Sequence, residues 1–149
     1  MNFTVSTIAA SLAAYLSPLF PGVTFYQNPN QQGTDAPCMF LQQRYSSMKR
    51  RTSGQWLRTI GLDLTYLEDY NLPNMQELYQ AAVETLDGAM DAFPYSDGTS
   101  TTTVLTYDRD SRIDLDAMHY KFELRVVVEH PQTGTPMQTM DYNEEVTNG

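Results

Sequence analysis

The sequence predicts an α+β domain: an antiparallel, possibly mixed, sheet of about four to five strands with two helices packed on one face. Three observations carry this. Apolar residues recur at helical spacing in two segments, one near the start and one in the middle of the chain. Other segments alternate apolar and polar residues with the period of two that a half-buried strand requires. The strands follow one another across short connections, which favours antiparallel pairing.

The first helix spans residues 4–16, where Val5, Ile8, Ala9, Leu12 and Leu16 form one apolar stripe. Pro18, Pro21 and Gly22 stop it. Val23, Thr24, Phe25 and Tyr26 read as a short strand, and residues 28–33 (NPNQQG) as a loop. A strand over 38–45 opens with Cys38, Met39, Phe40 and Leu41, an apolar run that suggests cover on both faces. A polar loop, 46–54, carries Lys49, Arg50 and Arg51 into the next strand, 56–67. There Ile60, Leu62, Leu64 and Tyr66 point one way, and Thr59, Asp63 and Thr65 the other. The second helix begins after Asn74, a capping residue with Glu77 three positions on. Its buried stripe is Met75, Leu78, Tyr79, Ala82, Val83, Leu86 and Met90, and Pro94 ends it. A long hairpin closes the domain, with arms 102–114 and 119–129 about a turn at 114–117. Tyr120, Phe122, Leu124, Val126 and Val128 of the second arm face inward. The domain is expected to end near residue 130. Residues 131–149 are polar and Gly/Pro-punctuated, a tail that is mobile or orders on a neighbour.

A chain of 149 residues buries enough surface for a core of its own. The apolar start has no basic n-region, since the first basic residue is Arg44, and Pro18 ends it short of a membrane span. It reads as a packed helix of a soluble protein. The lone Cys38 excludes an intrachain disulfide. The net charge is −9, nine basic residues against eighteen acidic, which argues against a nucleic-acid-binding face. The exception is the local Lys49-Arg50-Arg51 run.

No residue pattern in the chain matches a catalytic or metal-binding motif. Asp108, Asp110, Asp114 and Asp116 resemble a metal loop in composition. A calcium loop starting at Asp108 would need Gly at the sixth position and Glu at the twelfth, where Ile113 and His119 stand. Solvated edge and turn carboxylates are the better reading. His119 and His130 lie near opposite ends of one strand, about 35 Å apart at the rise of an extended chain, so they share neither metal nor proton. Cys38 follows Pro37 and leads an apolar run, which suits a buried inert thiol. With no phosphate-binding glycine loop, nucleophile elbow or HExxH, nothing points to an enzyme or a cofactor. What remains is interaction surface: Met48, Lys49, Arg50 and Arg51, with Trp56 beside them, and Met137, Met140 and Tyr142 of the tail. Against this stands the reading in which Trp56 closes the core and the basic run is solvated.

In its order of elements the chain resembles the tail terminator, or tail completion, proteins of long-tailed bacteriophages and prophages. The likeness covers residues 4–129. It rests on the apolar first helix, the Phe25-Tyr26 strand and the Pro37-Cys38-Met39-Phe40 segment. The basic loop, the segment RTIGLDLTY (58–66), a helix and the closing HYKF (119–122) complete it. The resemblance implies a virion structural protein: a hexameric ring on the head-proximal end of the tail tube. Such a ring stops polymerisation and offers a docking surface to the head connector or stopper, with genomic DNA passing through unbound and no membrane involved. A ring uses two different patches of each subunit. An acidic subunit would line the channel with charge that repels phosphate, and the basic run would meet acidic groups of a neighbouring ring. Two other readings stay open. One is a different head–tail joining protein, a stopper or adaptor. The other is a small ligand-binding or regulatory module with a pocket between sheet and helices.

Overall fold

A computed structural model describes residues 1–26, 36–69 and 71–129. Two helices, α1 (Val5–Leu16) and α2 (Met75–Ala89), accompany six strands: β1 (Thr24–Tyr26), β2 (Cys38–Arg50), β3 (Trp56–Leu67), β4 (Ala92–Ser96), β5 (Thr101–Ile113) and β6 (Met118–Val128). They form one sheet in the order β1-β2-β3-β6-β5-β4. β1 pairs with β2 in parallel, Thr24 opposite Cys38 and Tyr26 opposite Phe40, so the sheet is mixed. β4 and β5, and β5 and β6, pair antiparallel. The sixth strand, β4, follows α2 directly. Pro94, expected only as a helix stop, sits inside it opposite Thr103. The position is permitted because β4 is an edge strand, where the absent proline N–H breaks no ladder bond.

The described residues divide into two compact units, one drawn from 1–47 and 59–125 and the other from 48–58 and 126–129. In the first, the apolar faces of both helices and of the strands converge on one core. Ile8, Leu12 and Leu16 of α1 join Tyr79, Ala82 and Leu86 of α2, Ile60, Leu62, Leu64 and Tyr66 of β3, and Met118, Tyr120, Phe122 and Leu124 of β6. Each large side chain taken from water there contributes about 1.5–3 kcal/mol. Both alternating patterns expected for β3 and β6 are realised on this face. The second face of β3 is not simply solvated, however: Thr65 is 3% exposed, and Gly61 is buried as well.

Helix ends are closed by specific bonds. Thr4 caps α1, its hydroxyl accepting from the Thr7 backbone N–H at 3.1 Å while the Thr7 hydroxyl accepts from the Thr4 N–H at 3.1 Å, a reciprocal capping box. Asn74 makes no side-chain cap on α2, contrary to expectation; its φ of −107° and ψ of 31° depart from the extended shape that aims a capping oxygen at the first turn. The other end of α2 has carbonyls that the helix itself leaves unpaired. They accept from Tyr15 (to Ala89, 2.8 Å), from Arg109 (to Asp87, 3.0 Å) and from the Thr106 hydroxyl (to Met90). The Tyr79 hydroxyl, buried inside, accepts from the Glu68 N–H at 3.0 Å and donates to the Asp116 carbonyl at 3.2 Å. Asp97, in the β4–β5 turn, accepts from the backbone N–H groups of Asn2, Ser100 and Thr99, which hold its carboxyl below the ordinary range.

Candidate functional site: the hairpin end and the polar sheet face

The long polar loop expected over 46–54 is mostly strand. β2 continues to Arg50, and the turn is confined to 51–55. Ser53 (φ 63°) and Gly54 (φ 72°) both occupy the left-handed region, the combination of a tight type I′ hairpin turn. The Gln55 N–H donates to the Thr52 carbonyl at 3.3 Å across this turn, and the Arg51 N–H donates to the Gln55 carbonyl at 2.8 Å beside it. The sequence concealed this because every residue of β2 from Gln42 onward is exposed, so no alternation marks the strand.

The interface candidates fall as follows. Met48, Lys49 and Arg50 end β2, Arg51 enters the turn and Trp56 opens β3. The fold brings two of them together: the Arg50 guanidinium stacks over the Trp56 ring, 4.6 Å from its centroid. That cation–π contact holds the guanidinium against an apolar surface. Met48 is 41% exposed. Met137, Met140 and Tyr142, the tail from residue 131 and the second histidine, His130, lie outside the described residues.

A second array, not anticipated from sequence, covers the sheet face opposite the helices within the first unit. The Tyr45 ring of β2 lies over Gly61 of β3, so close that a Cβ on Gly61 would meet its carbons at 2.3 Å. Its hydroxyl donates to Glu123 of β6, and Arg44 stacks on the ring at 5.2 Å. Glu123 accepts from Arg125 at 3.1 Å; Arg125 also reaches Asp108 of β5 at 3.0 Å and lies over the Tyr107 ring at 4.3 Å. The Tyr45 bond, then Arg125, hold the Glu123 carboxyl below its ordinary range, and the same bond raises the Tyr45 hydroxyl. The sequence signal was Gly61, since an isolated glycine inside a strand marks close approach of another group.

A bulge in β5 builds this array. Tyr107 pairs with Glu123 but Asp110 with Lys121, three steps against two, and Asp108 takes φ 52°. The extra residue reverses the parity of the strand. Before it, Val104 faces the core; after it, Ile113 does, and Arg109 reaches Asp87 and Tyr120 on the helix side. Tyr107 and Asp108 are thereby both presented to Arg125.

His119 is half-buried between carboxylates. Its Nδ1 faces Asp63 at 3.0 Å, and its Nε2 lies 3.7 Å from Asp114. The Thr65 hydroxyl sits 3.3 Å from Nδ1 and donates to Asp63 at 3.1 Å, which satisfies the buried hydroxyl. Among the described residues no group of three or more His, Cys, Asp or Glu side chains is disposed to hold a metal ion. Cys38 is a buried free thiol. A shallow apolar groove runs along Ala9, Ala10 and Ala13 of α1 beside Phe25 and Tyr26. None of the titratable residues described above lines it. Among the described residues no helix is long and apolar enough to cross a membrane.

These features define a class: an α+β domain with a cross-strand polar array on one sheet face and its one concentrated positive segment at a hairpin end. A family model for the phage tail terminator protein matches residues 7–136, and the chain belongs to that family. It is therefore a structural component of a bacteriophage tail, as the order of its elements implied. No curated protein sequence matches the chain.

Proposed function

We propose that this protein caps the head-proximal end of the tail tube as a homo-oligomeric ring, with six copies the expected number. The ring stops polymerisation of the tube protein and gives the head connector or stopper its docking surface. The family match over residues 7–136 carries the reading. The charge pattern supports it. Four of the nine basic residues, and none of the eighteen acidic ones, fall within 48–58, so each copy carries a cationic element and an anionic remainder. Two unlike patches are what a closed ring of identical subunits requires. An acidic lumen would let genomic DNA pass without adhering, because phosphates gain nothing from a surface that offers few cations.

Electron microscopy of particles made without this protein tests the proposal. Overlong, uncapped tubes are the expected outcome. Tails of normal length that fail to join heads would instead assign it to the connector side of the joint.

A further inference from the structure

Resting on the ring reading, we propose that the end of the β2–β3 hairpin is the element that one copy inserts against the acidic surface of the next, so that Lys49, Arg50 and Arg51 make the contact that joins subunits. Three observations lead there. Charge is segregated between 48–58 and the rest of the chain, which keeps five basic residues against eighteen acidic. A second copy of this chain therefore already presents the complementary surface.

The second observation is how the cations are employed. Elsewhere the arginines are engaged within the fold: Arg112 with Asp114, Arg125 with Asp108 and Glu123, Arg109 with the Asp87 carbonyl. At the hairpin end no carboxylate answers Lys49, Arg50 or Arg51 among the described residues, and all three are exposed. Exposed like charges side by side repel, and an acidic surface brought against them relieves that repulsion.

The third is rigidity. The Ser53-Gly54 turn, the Arg51–Gln55 bond and the Arg50–Trp56 stack fix the segment before any partner arrives, which lowers the ordering cost of docking. Met, Trp and Arg together are the composition of a protein interface core rather than of a phosphate-tracking groove. That favours an acidic protein surface over duplex DNA as the occupant. The contact is heterologous, hairpin of one copy to body of the next, and such contacts close into rings.

The charge-reversed full chain K49E/R51E tests this by sedimentation, alone and on isolated tail tubes, at about 50 mM and about 500 mM salt, where screening lengths differ about three-fold. Wild type should self-associate, more strongly at low salt, and the variant about ten-fold or more weakly at low salt. Mixed with wild type, the variant should still accept a wild-type hairpin, giving open oligomers that it terminates. That readout distinguishes a lost donor from a misfolded chain, and the K49Q/R51Q variant with an unchanged melting temperature should lie between the two. Self-association equal to wild type overturns the proposal. So does a wild type that stays monomeric alone and on tubes, a variant that fails to enter mixed oligomers, or hairpin-dependent retention of duplex DNA with assembly unaffected. The ring reading is judged apart, by tube length: capped tubes with an indifferent hairpin remove this proposal alone, and tubes of normal length without the protein remove the reading on which it rests.

Discussion

At the scale of single residues, Gly61 and Tyr45 show how an absent Cβ is used. The glycine leaves a flat place on β3, and the tyrosine ring of the neighbouring strand fills it while its hydroxyl reaches Glu123. Gly61→Ala should push that ring aside and forfeit its contacts with Glu123 and Arg44, costing about 1–2 kcal/mol. Thermal unfolding checks this, and in a Tyr45→Ala background the same substitution should cost far less. Buried phenols provide a second expectation. Burial, then the Asp87 carboxylate, pushes Tyr120 up to about 12; burial raises Tyr79, and burial with Glu68 raises Tyr66. A group whose folded pKa exceeds its unfolded value near 10 adds stability in full below that value and loses it as pH rises through the folded one. Unfolding free energy should therefore hold steady from neutral pH up to pH 10 and fall as the pH rises beyond it, with tyrosinate absorbance from these residues delayed beyond that of the exposed tyrosines. A smooth ten-tyrosine titration near pH 10 in a folded protein would refute it.

Elements differ in how openly the sequence declares them. β3 and β6 were legible because each alternates apolar with polar or small residues without a break along its core-facing run. α1 and α2 were legible because their stripes persist for three turns or more. β4 was hidden because its five residues contain a proline, and only its edge position tolerates that. The far half of β2 was hidden because exposure of all its residues erases the pattern on which reading depends. The bulge was hidden because inserting one residue splits β5 into two half-patterns of opposite parity, and neither half is long enough to stand out. Caps are read from residue type alone and so can be misplaced: Asn74 has the composition of a cap and the wrong backbone, whereas Thr4 and Thr7 form a working box. Thr4→Ala should accordingly cost about 1 kcal/mol in chemical denaturation. Asn74→Ala should cost a small fraction of that, a comparison that separates geometry from composition.

For the whole molecule, the candidate site was half legible. Lys49, Arg50, Arg51 and Trp56 were visible as a cluster in the chain, but their rigid hairpin geometry and the stacking of Arg50 on Trp56 follow from a turn set by two left-handed residues. The Arg44–Tyr45–Glu123–Arg125–Asp108 array was not visible, because it joins residues up to 78 apart in sequence, and no local pattern encodes such pairs. That separation also bears on time. Asn2 waits for Asp97, 95 residues later, and β6 is the last of the six strands to leave the ribosome although it stands in the interior of the sheet between β3 and β5. The β2–β3 hairpin closes on contacts within its own few residues, whereas the sheet it belongs to completes only with residue 128. At ribosomal speeds the sixty-one residues that follow Leu67 through Val128 take about three to twelve seconds. A copy still being made therefore has the residues of its cationic hairpin well before the strand that completes its sheet, and under the contact proposed above it would be a donor before it is an acceptor.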